Sequence, residues 1–321
     1  MLSFFARWWS RLRIALAQSA SHTLAEEIAP EPTVPERATT YEPLERVILS
    51  DDVSRTLFTE YADHRGGQRG EEETGWVLMG HREANQAIVL ATLPAGALRE
   101  AGVAHVRFNA EAQALASRIL RQTDRKLTIL GIVHTHPGTL RHPSKGDYQG
   151  DRQWVKLLRG QEGVFGIGTA DGEEGPDGAE VAWQPEPHVQ VYQGLRFTWY
   201  SLGIQDKHYR VVPVQLTIGP DCALPLHEVW SALEVHALRL ELLWKQLTRL
   251  RFEIQSMGKE NVLQLRLPVG HDEELRVLLQ PRQVTYALWR KGELLVSGLQ
   301  EPAVDRGVYL LLAELAKDKA R

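Results

Sequence analysis

Hydrophobic positions change their period several times along this chain, and each change marks an element. Between residues 43 and 202, short apolar runs alternate with amphipathic stretches. RVILS (46–50) suggests a strand, and SRTLFTEYADH (54–64) a helix with Ser54 as its cap. TGWVLMG (74–80) and AIVLATLP (87–94) read as two strands joined by a turn at His81–Asn85. NAEAQALASRILRQT (109–123) predicts a helix capped by Asn109. LTILGIVHTH (127–136) is a β-branched apolar run that predicts a buried strand. GDRQWVKLL (150–158) continues as a helix, GVFGIGTA (163–170) as a strand, and VQVYQGLRFTWYSLG (189–203) as the closing strand or strands. DGEEGPDG (171–178) reads as a surface loop.

Beyond residue 203 the pattern differs. Residues 226–256 carry Leu233, His236, Leu240, Leu243, Leu247 and Leu250 at three- to four-residue spacing, which predicts one long helix. A meander follows, in which LQLRL alternates strictly and RVLLQ, VTYALWR and ELLVSG come after short turns. DRGVYLLLAELAK ends the chain as a helix. The reading is an α/β (α+β) protein. It has a domain over 43–202, and over 203–321 a unit of a long C-terminal helix and a small antiparallel β-meander. The second unit lacks clustered catalytic residue types and reads as a binding or assembly module. Homodimerisation, docking of a partner and docking of substrate are equally open for it.

The first 42 residues stand apart. In MLSFFARWWSRLRIALAQSA, Phe5, Trp8, Trp9, Leu12, Ala15 and Leu16 follow helical spacing, while Arg7, Arg11 and Arg13 interrupt the apolar run. The arginines fit a secretory signal poorly. A basic amphipathic helix over 1–21 suits peripheral contact with a membrane surface, docking on a partner or packing on its own protein. Residues 22–42, with their prolines and charges, read as a linker.

Composition narrows the function. A chain of 321 residues, 43% hydrophobic and 24% charged, is globular. Its net charge of −4 gives no general drive toward nucleic acid. The single cysteine, Cys222, excludes an internal disulfide framework and a Cys-rich zinc site, and it fits a cytoplasmic location. No apolar run approaches the ~20 residues of a membrane span.

The chemistry concentrates in GIVHTHPGTLRHPSKGD, residues 131–147. His134 and His136 sit two apart at the end of a predicted strand, so both rings project to one side. Asp147 follows where a helix should begin. Two imidazoles and a carboxylate give zinc three ligands and leave a fourth position for water, the arrangement of a catalytic rather than a structural site. Singly, these residues have plainer explanations: Ser144 caps a helix, Asp147 suits its dipole, and histidines decorate a turn. Capping alone requires no His-x-His, and it is the combination that points to a metal.

His134-Thr-His136-Pro137 through Ser144-x-x-Asp147 matches His-x-His-x7-Ser-x-x-Asp without a gap. In this the chain resembles the JAMM (JAB, MPN+) zinc metalloproteases, and the resemblance covers about residues 43–202. It implies a cytidine-deaminase-like mixed sheet flanked by helices. It also implies one Zn²⁺ per chain held by His134, His136 and Asp147, and a glutamate general base near the start of an early strand. Glu73-Thr-Gly75-Trp-Val77-Leu78-Met-Gly80 fits the family register and selects Glu73 over Glu71 and Glu72. Ser144 is implied as a stabiliser of the oxyanion. Trp76 stands where prokaryotic members carry a small residue, and is expected to narrow the cleft. His105 and His142 lie outside the motif and read as structural or surface residues.

The activity implied is cleavage of a peptide or isopeptide bond after the C-terminus of ubiquitin or a ubiquitin-like protein. Segment 94–108 would contact that substrate, whose tail would add as a β-strand. Similar bacterial proteins sit in antiphage conjugation operons, so E1- or E2-like partners are expected, and the Arg-, Ala- and Leu-rich composition has a bacterial style. Two other readings stand beside it. One is a non-catalytic MPN scaffold, which would usually lack some of these ligands. The other is a relative of the DNA-associated RadC group, which shares the His-x-His-Pro segment but favours a more basic chain.

Overall fold

The structure, a computed structural model, describes residues 40–319 apart from 174–181 and 258–259. The expected helix over 1–21, residues 22–39 of the expected linker and most of the 171–178 loop lie outside the described residues.

A mixed sheet of ten strands forms the frame. Its members are β1 (Arg46–Ser50), β2 (Gly75–Arg82), β3 (Gln86–Pro94), β6 (Thr128–Thr135), β7 (Glu162–Thr169), β8 (Trp183–Glu186), β9 (Val189–Tyr192), β10 (Leu195–Gly203), β11 (Arg210–Val211) and β12 (Val214–Thr217). They run in the order β12-β1-β3-β2-β6-β7-β10-β9-β8, with β11 pairing β10. A hairpin of β4 (Glu100–Gly102) and β5 (His105–Arg107) stands off the sheet.

The central strands are buried on both faces, which explains their almost unbroken apolar sequences. On one face, α1 (Asp51–Gly66) packs Val53, Leu57, Phe58 and Tyr61 against Trp76, Leu78, Val133 and Phe197. On the other lie α2 (Ala110–Thr123) and α3 (Lys145–Val155), then α4 (Leu224–Glu228), α5 (Trp230–Gln246) and α6 (Val304–Lys319). A second, antiparallel sheet, β13 (Arg251–Met257), β14 (Glu260–Pro268), β15 (Glu273–Leu279), β16 (Val284–Arg290) and β17 (Glu293–Val296), joins the same core. Leu115 and Ile119 of α2, Leu240 of α5 and Leu263 and Val277 of this sheet belong to one continuous cluster. The division expected after residue 202 falls inside the large sheet, since β12 pairs in parallel with β1.

Two local expectations are corrected. The cap of α1 is Ser50, whose Oγ accepts the Val53 N–H; Ser54 lies inside the helix and its hydroxyl accepts from Gln190. Asp51 and Asp52 in the first turn are the dipole-favoured acids that mark the true start. The helix expected over 226–256 is α4 and α5, and it stops at Gln246. Leu247 and Leu250 imitate a further helical turn. After them RFEIQSM alternates inward Phe252 and Ile254 with outward Glu253 and Gln255, and pairs with β14 as a strand.

Candidate metal centre and its groove

Strand β6, helix α3 and strand β7 form a parallel βαβ unit. Open α/β sheets place their ligands at the carboxyl ends of such strands. The end of β6 holds His134, and His136 follows one residue past it, its N–H donating to the Gly168 carbonyl on β7. Across the sheet β2 runs antiparallel, with Gly75 opposite His134. This pairing carries the residue before Thr74, Glu73, to the histidines. Gly75 is required by close approach: a Cβ there would lie 2.5 Å from the Val133 carbonyl oxygen.

The chain then crosses to α3, opened by a reciprocal capping box. Ser144 Oγ accepts the Asp147 N–H at 3.2 Å, and an Asp147 carboxylate oxygen accepts the Ser144 N–H at 2.5 Å. The box turns Asp147 toward the two rings. His134 Nε2 and His136 Nε2 are 3.1 Å apart, and each lies 3.3 and 3.4 Å respectively from an Asp147 oxygen. A tetrahedral zinc with bonds of ~2.0–2.2 Å keeps its donors roughly 3.3–3.6 Å apart. The triad therefore has nearly the edge lengths of such a site. His136 Nδ1–H donates to the Leu140 carbonyl at 2.7 Å, which leaves the Nε2 lone pair facing the triad. Burial opposes ionisation of Asp147, yet His134 and His136 hold its carboxyl far below the ordinary range. The donor set thus fits a divalent zinc ion.

Glu73 is 4% exposed and lines the groove beside His134 and Asp147. Burial raises its carboxyl above the ordinary value, against the pull of both histidines. Its main chain is fixed from the hairpin side: its N–H donates to the Gly102 carbonyl at 2.8 Å, and Arg99 Nε donates to its carbonyl. Glu72, by contrast, pairs with Arg69, and Glu71 is exposed.

The loop before the hairpin is held in turn by helix α5. The buried Glu234 carboxylate accepts the Ala97 and Leu98 N–H groups at 3.2–3.4 Å, packed against Gly96. Gly96 has φ +81, and a Cβ there would meet Glu234 Oε1 at 2.0 Å. Glu234→Ala leaves those two donors without their acceptor. It is expected to cost about 1–3 kcal/mol, read as a lowered melting temperature with faster amide exchange at Ala97 and Leu98. Unchanged exchange there would show that the carboxylate does not hold the loop.

The structure brings together the five residues expected at the site, Glu73, His134, His136, Ser144 and Asp147. Trp76 is corrected. Strand alternation turns it to the opposite face, where its ring packs near Phe197 and its Nε1–H donates to Glu60 at 2.6 Å, so it does not narrow the groove. His142 is exposed; His105 is exposed too, but lines the groove at the hairpin. The sequence reading missed Asp151. One turn beyond Asp147 on α3, it is 4% exposed, accepts the Tyr209 hydroxyl at 2.7 Å and is pushed by burial up to about 7. Its four-residue spacing from Asp147 was the available signal.

From the triad a groove of about 710 Å³ runs between the hairpin, α2 and α3, over Phe108, Trp154, Ile129 and Ile132. The Phe108 and Trp154 rings meet edge to face at 6.4 Å.

Residues 54–184 match the model of a family described as prokaryotic homologs of the JAB domain. This segment is similar to JAB/MPN domains. That family includes hydrolases, and its members often bind zinc. Among solved structures, the chain is similar to the solution structure of protein DSY2949 from Desulfitobacterium hafniense. The two share 18% identity over 55% of this chain and 95% of the other, with a TM-score of 0.34. No curated protein matches. No helix among the described residues is long and apolar enough to cross a membrane.

Proposed function

We propose that this protein is a zinc-dependent peptidase or isopeptidase that cleaves after the C-terminus of a ubiquitin-like protein. The observation that carries the reading is the meeting of Glu73 with His134, His136 and Asp147 at the head of a groove able to take an extended chain. Zn²⁺ held by those three side chains supplies a Lewis acid and an acidified water. Glu73, raised by burial and beside the triad, takes the proton of the attacking water and returns it to the leaving amine. Ser144, its Oγ fixed by the Asp147 N–H, keeps its hydroxyl proton to donate to the carbonyl oxygen as that gains charge. The walls of Phe108 and Trp154 exclude water from the threaded chain. A place beside E1- or E2-like conjugation partners in a bacterial cytoplasm suits this activity.

The test uses the full chain and a ubiquitin-like protein joined at its C-terminus to a reporter, with products followed by mass spectrometry. Cleavage at the junction is expected, abolished by 1,10-phenanthroline and restored by added zinc. A zinc-loaded protein that leaves every such fusion intact would overturn the reading in favour of a scaffold.

A further inference from the structure

The groove does not end at α2. Arg118 and Arg121 line both it and an adjoining cavity of about 670 Å³, whose walls include Arg125, Arg251, Trp244 and Phe252. Arg118 is paired with Glu241 at 2.8 Å. Arg121 is half-buried and its Nε donates only to the Leu127 carbonyl. Among the described residues neither it, Arg125 nor Arg251 forms an ion pair. Burial, and then the charges of Arg159 and Arg118, push the Arg121 guanidinium below its ordinary value. A partly desolvated cation among like charges is unfavourable unless something anionic joins it. The chain as a whole carries −4, so this concentration of positive charge is local. Trp244 and Phe252, stacked at 5.4 Å and 11°, give the cavity an apolar wall.

We infer that this arm is a subsite for an acidic stretch of the polypeptide substrate, lying along the chain from the bond at the triad. The inference rests on the proposed peptidase reading. It adds the substrate's character: side-chain carboxylates matched by guanidinium forks, and apolar residues laid on the aromatic wall. Glu253 and Glu274 also line the arm, but both are already paired with Arg266, at 2.6 and 2.5 Å, and leave Arg121, Arg125 and Arg251 open to an added carboxylate. The net charge of −4 gives the chain no general drive toward a continuous phosphate backbone. A polypeptide can place its charges selectively.

The test measures fluorescence anisotropy on the full-length Glu73→Gln protein, so that binding is read without turnover. The probes are a fluorescein-labelled peptide bearing a run of glutamates, its glutamine counterpart and a single-stranded oligonucleotide. The acidic peptide is expected to bind about tenfold tighter than the glutamine peptide, an advantage that shrinks as salt rises. Arg121→Gln and the exposed Arg251→Gln should each remove about threefold to fivefold of that advantage and leave the glutamine peptide unaffected. Because Arg251 is at the surface, a folding defect in Arg121→Gln leaves the test intact. Equal affinity for the two peptides, or indifference to both substitutions, overturns the subsite even if fusions are cleaved. Tighter binding of the oligonucleotide overturns it in favour of nucleic acid. Selective binding of the acidic peptide upholds it even if no fusion is cut.

Discussion

The full-length protein carrying His136→Ala and Asp147→Ala together is expected to purify with almost no zinc, and the natural protein with about one ion per chain. Removing two of three ligands leaves His134 alone, and a single imidazole does not retain zinc through purification. Cleavage of a fusion substrate should fall to background with it. The two substitutions do different things to the fold. Asp147 also accepts the Ser144 N–H, so its loss opens the capping box and costs about 1 kcal/mol. His136→Ala leaves that box intact. Measured by inductively coupled plasma mass spectrometry, loss of metal in His136→Ala with α3 still folded assigns the effect to ligation. Stoichiometric zinc in the double variant would mean that the ion sits elsewhere.

Glu73→Gln should produce the second large effect with the opposite metal outcome. Zinc content stays at the natural level, while kcat falls about 10²–10⁴-fold, the usual worth of a positioned acid–base group. The substitution keeps the side chain's shape. The contacts that place residue 73 are made by its main chain, to Gly102 and Arg99, and survive it. A mere structural role would therefore leave turnover close to natural. Near-natural kcat/KM in Glu73→Gln would remove this residue as the base and turn attention to Asp151, the other buried carboxyl of the groove.

Much of the site was legible because it is local. His134, His136, Ser144 and Asp147 lie within fourteen residues, and the strand period and the capping rule fix where each points. Glu73 required the family register, since three consecutive glutamates look alike and only the pairing of β2 with β6 sets one of them beside the histidines. Asp151 was missed because its significance is burial, which Tyr209, 58 residues away, helps to create. Trp76 was misjudged for a related reason: which face of a strand is the groove depends on where α1 and α2 pack. The break after Gln246 escaped notice because Leu247 and Leu250 satisfy a helical spacing and a strand entry equally well. The basic arm of the groove was invisible, since Arg118, Arg121 and Arg251 are brought together only by α2 packing beside β13.

The bond from Glu234 to Ala97 and Leu98 also bears on inheritance. Glu234 belongs to the C-terminal half, and the loop it holds fastens the main chain of Glu73 in the N-terminal half. A gene fragment ending near residue 203 would encode the whole His-x-His signature and yet lack that carboxylate, strand β12 at the sheet edge and the apolar partners of α2. A fragment carrying the signature half alone is expected to lose that geometry, which ties the inheritance of the two halves together.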